Sequence, residues 1–321
     1  MEDLSSMQMV SDLAALSRGK PAVLTIGTFD GVHRGHQWLI RQTVERARSL
    51  DYDSMVLTFD PAPQVVLRPG SVQLTDGQEK ARIIGALGPT TLVMLPFTSE
   101  LSKVPAPEFL VSILDHVNLA EVWVGADFLF GHNRGGDIDL LIRSGQHSCF
   151  SVHVVYRRGL HDSPISSTRV RELIRAGDVE QAAILLGHYP SLSGTVVTGF
   201  GRGTGLGFPT ANVQPSASQL LPAAGVYAAY LRFDGNWLHA AVSVGYNVVF
   251  GGENIVVEAY VLDFTGDLRN KIVGIDFVAR VSDEQHFESV DGLVAKMHRD
   301  VEQVRRVLVT PEEPGELILS P

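Results

Sequence analysis

The chain has 321 residues, of which 45% are hydrophobic, so it can bury a full core and its length predicts two domains. Its 36 acidic residues outnumber its 26 basic residues, and the formal net charge of -10 argues against a nucleic-acid backbone as a general partner. The single cysteine, Cys149, excludes an internal disulfide and a thiolate metal cage, and we expect an inert buried thiol.

The N-terminal segment MEDLSSMQMV lacks the basic start and apolar core of a signal peptide, and no uncharged apolar run is long enough to span a bilayer. These features predict a soluble cytoplasmic protein.

In the first half, short apolar segments alternate with helical patterns. We predict strands at 22–26, 54–59, 91–95, 121–124 and 151–155, and helices at 33–50, 78–87 and 106–116, with a further helical segment before the last strand. This alternation predicts an α/β fold with a doubly wound parallel sheet, whose ligands bind beyond the carboxyl ends of the strands.

The segment IGTFDGVHRGHQ, residues 26–37, joins the first of these strands to the first helix. His33 and His36 fall in the first turn of that helix, where free backbone N–H groups and the helix dipole attract phosphate oxygens. Gly27, Gly31 and Gly35 allow positive φ or a close backbone approach. The alternative interpretation is a loop glycine cluster beside two surface histidines.

Further motifs follow other strands. DPAP at 60–63 follows the second strand, and GADFLFG at 125–131 follows the fourth, with Asp127 as an acid between apolar residues. Core packing is the alternative role for Phe128 and Phe130.

The segment ISSTRVR, residues 165–171, suits the N-terminus of a helix that ends near 177. An ordinary cap followed by solvated arginines is the alternative. Asp178 and Gln181 form a capping-box pattern that opens a last helix through 186.

The second half changes to short β-rich runs near 187–193, which predicts domains at 1–187 and 188–321. Strands at 194–198, 226–233, 237–244, 256–264 and 272–281 predict a small antiparallel β-barrel, and 286–308 predicts a covering amphipathic helix.

The run GFGRGTGLGFPTAN, residues 199–212, matches neither standard glycine loop for phosphate, because FPTANV is extended in pattern and no GxxxxGK[ST] occurs. A flexible turn without function is the alternative. Glu258, an acid with apolar neighbours on a predicted strand, is either functional or a solvated residue at a strand edge.

The HxGH tetrapeptide resembles the signature of the nucleotidylyltransferase superfamily. With the other motifs in order, TFDGVHRGHQ resembles the bacterial bifunctional riboflavin kinase and FMN adenylyltransferase family, also called FAD synthetase. The resemblance implies phosphorylation of riboflavin to FMN and adenylylation of FMN to FAD, with ATP, flavin and Mg²⁺ as ligands. It implies small-molecule partners; together with the charge and the lack of a long apolar run, we expect neither nucleic acid nor membrane as a partner, and a monomer or transient homo-oligomer.

The resemblance also implies roles for individual residues. In the adenylylation site, His33, His36 and Arg171 stabilise the departing pyrophosphate, and the nucleotide contacts are Gly27, Phe29, Asp30, Gly31, Gly35, Asp127, Ser166, Ser167 and Thr168. In the kinase site, Glu258 is the general base, and Thr210 and Asn212 hold Mg²⁺ and the ATP phosphates. The surrounding loop of the kinase site includes Gly201, Gly203, Gly207 and Pro209.

The chain departs from the family pattern at several positions. Ala62 replaces a usual histidine, the segment 243–250 lacks the usual Pro-Thr pair, Arg269 and Asn270 alter a Tyr-Gly-Lys triplet, and Ser282 replaces a usual arginine. In the family that the chain resembles, the later segments shape the flavin side of the kinase pocket, so one alternative is an FMN adenylyltransferase with a weak or flavin-binding-only second domain. A flavin-binding regulator without turnover and a transferase for another substrate also remain compatible with the sequence.

Overall fold

A computed structural model describes residues 7–156, 165–198, 207–249, 252–285 and 289–308. Within it the chain divides into two compact units, Met1–Ser166 and Ser167–Pro321.

The first unit contains a six-stranded parallel sheet in the order β1-β4-β3-β2-β5-β6. Its strands are β1 (Gln8–Val10), β2 (Ala22–Ile26), β3 (Asp53–Asp60), β4 (Thr91–Pro96), β5 (Leu119–Gly125) and β6 (Ser151–Val155). Its helices are α1 (Arg34–Leu50), α2 (Pro63–Leu67), α3 (Gly77–Gly85), α4 (Ala106–His116) and α5 (Ile138–Ser148). The predicted parallel α/β fold is confirmed, and the short strand β1 is an element that the sequence pattern did not indicate.

Both faces of this sheet are covered, which explains why its central strand reads as a continuous apolar run. All five residues of β2 are buried. Leu24 and Ile26 pack into one core cluster, whereas Ile40 and Val44 of α1 pack into a second cluster with Val56 of β3. Because all the strands of this sheet are parallel, their carboxyl ends lie at the same edge.

The second unit opens with α6 (Ser167–Ala176) and α7 (Val179–Leu186) and continues as a closed antiparallel barrel in the order β10-β11-β8-β7-β12-β9. The barrel strands are β7 (Ser191–Val197), β8 (Thr210–Pro215), β9 (Gly225–Phe233), β10 (Asn236–Val249), β11 (Gly252–Val261) and β12 (Ile272–Ser282). Helix α8 (Val290–Val307) follows. The predicted barrel and covering helix are confirmed.

Alternate residues of each strand fill the barrel. Val213, Val242 and Val257 are among the buried residues of its interior. On the outer face, Val304 of α8 packs with Tyr230 and neighbouring residues in a separate cluster. Residues that lie between the interior positions therefore point to the outer face.

Helices α6 and α7 pack with the barrel. Val179 is fully buried in the barrel cluster, and Arg280 donates hydrogen bonds to the carbonyl oxygens of Ala176 (3.4 Å) and Ala224 (2.7 Å). The Ala223 amide donates to the Ile174 carbonyl at 3.3 Å. The compact units thus divide ahead of α6, and the boundary expected after residue 187 stays a prediction.

The expectation of a buried thiol was wrong, since Cys149 is exposed. It follows α5 as its C-cap in the left-handed conformation, with φ of 60°. A residue that ends a surface helix in this way lies at the turn rather than in the core. Among the described residues, none of the helices has the length and apolarity needed to cross a membrane.

Candidate active sites

His33 and His36 meet at the N-terminus of α1. His33 is the N-cap, and its Nδ1 accepts a hydrogen bond from the His36 amide at 3.3 Å. The two rings stack with their centroids 3.6 Å apart and 16° between their planes. Because Nδ1 of His33 accepts, the proton of the neutral ring resides on Nε2. The two imidazoles therefore lie side by side at the start of α1, and their contact with phosphate stays a prediction.

The loop before α1 has an unusual backbone. Phe29 has φ of 45° and Val32 has φ of 36°, and the Phe29 ring lies edge-on to His36 at 5.3 Å. Positive φ is rare for residues other than glycine, and especially so for a β-branched one. Gly27 is required by space, since a Cβ there would lie 2.8 Å from the Phe29 ring, and Gly31 by its φ of 80°.

Asp30 is buried and holds this loop to the rest of the unit. Its Oδ1 accepts from the Leu74 amide at 2.8 Å and its Oδ2 accepts from Gln64 Nε2 at 3.0 Å. The Gly31 amide donates to Thr75 Oγ1 at 3.2 Å. The carboxylate therefore serves as an internal anchor, and a direct nucleotide contact by Asp30 stays a prediction.

Lys80 of α3 was not indicated by any motif. It is fully buried, and its Nζ donates to the carbonyl oxygens of Phe59 at 2.6 Å and Thr28 at 3.2 Å. Burial lowers the pKa of Lys80, while the nearby carboxylates of Asp30 and Asp60 oppose that shift. A signal was available, because Lys80 precedes Ile83 and Ile84 at helical spacing and so lies on the apolar face of α3.

The other loops at this edge differ in exposure. Asp127 is exposed after β5. Phe130 is buried in the core and stacks on Phe128 at 5.4 Å, so the core-packing interpretation holds for these rings. Ala62 is fully buried, and its amide donates to Gln73 Oε1 at 2.9 Å.

The SSTRVR segment spans the division between the units. Ser166 is the last residue of the first unit, whereas Ser167, Thr168 and Arg171 lie on α6 in the second. Thr168 is exposed and Arg171 is half-buried, while Val170 between them is buried. The joint action of Arg171 with the two histidines stays a prediction.

In the barrel, Asn212 and Glu258 are direct partners on the neighbouring antiparallel strands β8 and β11, and Thr210 is paired with Tyr260. Thr210, Asn212 and Glu258 are half-buried. They alternate with the buried residues Val213, Val257 and Ala259, so all three lie on the outer face of the barrel. Side chains opposed in this way have Cβ atoms about 5 Å apart.

The end of the glycine run is anchored on the same face. Gly207 has φ of 85°, and Pro209 is exposed. Between them Phe208 is buried, with its ring against Tyr260 at 5.2 Å. The predicted loop residues Gly201 and Gly203 lie outside the described residues.

The other positions that depart from the family pattern lie in different parts of the barrel unit. Ser243 is the partner of Glu258 on β10. Ser282 Oγ accepts from Lys296 Nζ of α8 at 2.7 Å, and Lys296 also pairs with Asp300 at 2.5 Å. An ammonium group thus lies beside residue 282, where the family usually has an arginine. Arg269 forms an exposed ion pair with Asp267 at 2.7 Å, and Phe250 lies outside the described residues.

The α/β unit carries paired histidines at a helix N-terminus, and the barrel carries Thr, Asn and Glu on one face. These features are typical of a two-domain transferase that acts on phosphate-containing groups. The comparisons agree. The family model described as FAD synthetase matches residues 16–169, and the model described as riboflavin kinase matches residues 186–308.

Two relatives span almost the whole chain, and both are named bifunctional riboflavin kinase/FMN adenylyltransferase. The one from Listeria monocytogenes is 32% identical over 91% of this chain and 94% of its own length. The one from Pseudomonas fluorescens is 33% identical over 93% of this chain and 97% of its own. The chain belongs to the bifunctional riboflavin kinase/FMN adenylyltransferase family.

A solved structure shares the fold. It is described as a macrolide-efflux protein from Streptococcus pneumoniae, is 30% identical, and aligns with a TM-score of 0.82 over 94% of this chain and 99% of that chain.

Proposed function

We propose that the chain carries out two reactions in sequence. The barrel unit transfers the γ-phosphoryl group of ATP to riboflavin and forms FMN, and the α/β unit transfers AMP from a second ATP to FMN and releases pyrophosphate. Matches to both family models and the two bifunctional relatives support this proposal.

The pairing of Asn212 with Glu258 across β8 and β11 is the observation that carries the bifunctional proposal. In the kinase reaction Glu258 accepts the proton of the ribityl 5′-hydroxyl while the oxygen attacks the γ-phosphorus, and ADP leaves. Phosphoryl transfer depends mainly on positioning and charge stabilisation, so a base held beside the phosphate site is the arrangement that it needs.

The donor set beside Glu258 suits Mg²⁺. The hydroxyl oxygen of Thr210 and the amide oxygen of Asn212 lie on one face, and Mg²⁺ prefers oxygen ligands, with most of its shell supplied by water and substrate phosphates. We assign Thr210 and Asn212 as its protein ligands. When bound, the ion neutralises charge on the phosphates of ATP.

In the adenylylation reaction the FMN phosphate oxygen attacks the α-phosphorus in line, and the bond to pyrophosphate breaks. His33 and His36 donate hydrogen bonds to the phosphate oxygens at the positive end of α1, and Arg171 adds a guanidinium to the leaving pyrophosphate. We assign Gly31 and Gly35 to the approach of the phosphate chain, whereas Gly27 makes room for the Phe29 ring that contacts His36. Asp127, Ser166, Ser167 and Thr168 are assigned to the nucleotide.

Incubation of the full chain with riboflavin, ATP and Mg²⁺, followed by chromatography, tests the whole proposal. FMN and then FAD are expected, with omission of Mg²⁺ as the control. Conversion of added FMN to FAD without any FMN from saturating riboflavin would instead favour an adenylyltransferase with an inactive barrel. The comparisons do not favour that alternative, since the riboflavin kinase model matches the barrel.

The remaining proposals concern the cellular location, the binding partners and the oligomeric state of the enzyme. We propose a cytoplasmic protein that acts on small molecules and not on nucleic acid, as a monomer or transient homo-oligomer. The acidic balance of the chain supports the exclusion of nucleic acid, since a net charge of -10 disfavours binding to polyanions. Sedimentation with and without ATP tests the oligomeric state.

A further inference from the structure

We propose that Lys80 is a positioning residue of the adenylylation site, whose buried ammonium group fixes the loop that carries His33 and His36. The inference rests on the proposed function for the reaction that it affects, but the contacts of Lys80 are independent of it. Lys80 is fully buried, so it acts through the backbone that it holds and not by touching a substrate.

The ammonium group of Lys80 connects the loop that follows strand β2 to the end of the neighbouring strand β3. Lys80 Nζ donates to the carbonyl of Thr28, two residues beyond the end of β2, and to the carbonyl of Phe59, the penultimate residue of β3. Thr58 Oγ1 donates to the same Thr28 carbonyl at 3.0 Å. The start of the histidine loop is therefore held from two directions by side chains that no sequence motif includes.

The loop needs such fixing because its backbone is strained. Phe29 and Val32 both have positive φ, a conformation that persists in residues other than glycine only where the surroundings impose it. Phe29 directly follows the carbonyl that Lys80 holds, and its ring contacts His36. Release of Thr28 would let Phe29 relax and would change the position of the His36 ring.

The charge of Lys80 also matters at a site for polyphosphate. Asp30, Asp60 and Asp76 all interact electrostatically with its ammonium group. Without a cation among them, these carboxylates would oppose the approach of ATP to the N-terminus of α1. One buried lysine therefore both shapes the loop and balances the acids around it.

Lys80→Met tests the proposal, since methionine keeps much of the length and loses the charge and the donors. We expect the kcat for FMN adenylylation to fall by about 10²-fold, the scale of a displaced reacting group, and the KM for ATP to rise. A smaller folded fraction would lower the rate without changing KM. Riboflavin phosphorylation by the same sample is the internal control, and Lys20→Met, a change at an exposed lysine of the same unit, is the matched variant.

Hydrogen exchange supplies a readout that does not depend on turnover. The amides of Val32 and Gln37 donate to carbonyls within the loop and first turn of α1, so we expect them to exchange at least about tenfold faster in Lys80→Met. Amides of α8 should be unchanged. If wild-type protein makes no FAD, the proposed function fails, whereas the exchange result still decides the role of Lys80.

Thr58→Val provides a second variant in case Lys80→Met does not fold. It removes the other donor to Thr28 with little change in shape and no change in charge. We expect roughly a tenfold loss of adenylylation, matching the loss of one positioning contact, and faster exchange in the same loop. A folded Lys80→Met with wild-type kinetics and exchange would overturn the proposal, as would a wild-type Thr58→Val if Lys80→Met is unfolded.

Discussion

His33 and His36 have different structural roles although their rings stack on each other. His33 is the N-cap and accepts the His36 amide through Nδ1, so it orders the first turn of α1. His36 follows within that turn, and its ring touches both His33 and Phe29. A change at His36 therefore leaves the cap in place and tests the chemistry more directly.

For His36→Ala we expect FAD formation from FMN to fall by about 10² to 10³, the loss that follows removal of one transition-state donor. FMN formation from riboflavin should persist, because Glu258 and Asn212 belong to the other unit. Chromatography of both products over time measures the two rates in one sample. Unchanged FMN-to-FAD conversion would contradict the assignment of the site.

Glu258 can be tested with a nearly isosteric change. For Glu258→Gln we expect the kcat of riboflavin phosphorylation to fall by about 10² or more, since the amide retains hydrogen bonding and loses the base. Adenylylation of supplied FMN should be unaffected. Glu302→Gln, at an exposed glutamate of α8, is the matched control. An unchanged kcat in Glu258→Gln would remove Glu258 as the base.

At the scale of elements, α8 attaches to the barrel through both apolar and charged groups. Val304 is fully buried against the outer face, and Lys296 and Asp300, one turn apart, are almost completely buried as an ion pair that also binds Ser282. A buried pair is sensitive to the loss of one member, because the other charge then remains in a poorly solvated place.

Asp300→Ala is therefore expected to destabilise the protein by about 3 to 5 kcal/mol. The double change of Lys296→Met with Asp300→Leu should recover most of that loss, since it leaves no buried charge. Urea unfolding followed by circular dichroism measures both, and Glu302→Ala on the same helix should change little because its ion pair is exposed. An equal loss in the single and double variants would contradict the view that the unpaired charge of Lys296 causes the destabilisation.

At the scale of the whole molecule, the division of the chain bears on how each unit folds. Helix α6 carries most of the SSTRVR segment, yet Val179 of α7 is buried in the barrel cluster and Arg280 of β12 donates a hydrogen bond to the end of α6. The barrel therefore gains buried surface from residues that precede the boundary expected from composition.

Two fragments test this point. Residues 167–321 and 188–321 should both fold, but the shorter fragment should have a lower urea midpoint, because burying a side chain such as Val179 contributes about 1.5 to 3 kcal/mol. Val179→Ala in the longer fragment should fall between them. Equal midpoints for the two fragments would show that α6 and α7 add nothing to the stability of the barrel.

The sequence by itself determined most of the elements, although its pattern did not predict the short strand β1 or the barrel strand β8, which carries Thr210 and Asn212. Hydrophobic periodicity predicted the five longer parallel strands, the helix that begins at residue 34, and the barrel, because each of these segments buries one face or both. Capping patterns were equally local, and the Asp178 side chain accepts the Gln181 amide at 3.1 Å as expected. Such features depend on neighbours a few residues away and can be read along the chain.

Only the tertiary structure decided which distant groups meet. Lys80 acquires its role from the carbonyls of Thr28 and Phe59, which approach it because β2 and β3 are adjacent in the sheet. Asn212 faces Glu258 through the strand register of the barrel, and Cys149 is exposed because it ends a surface helix. Contacts between residues far apart in sequence arise from the packing of whole elements against each other. Local sequence patterns contribute to that packing, but they do not specify which residues meet.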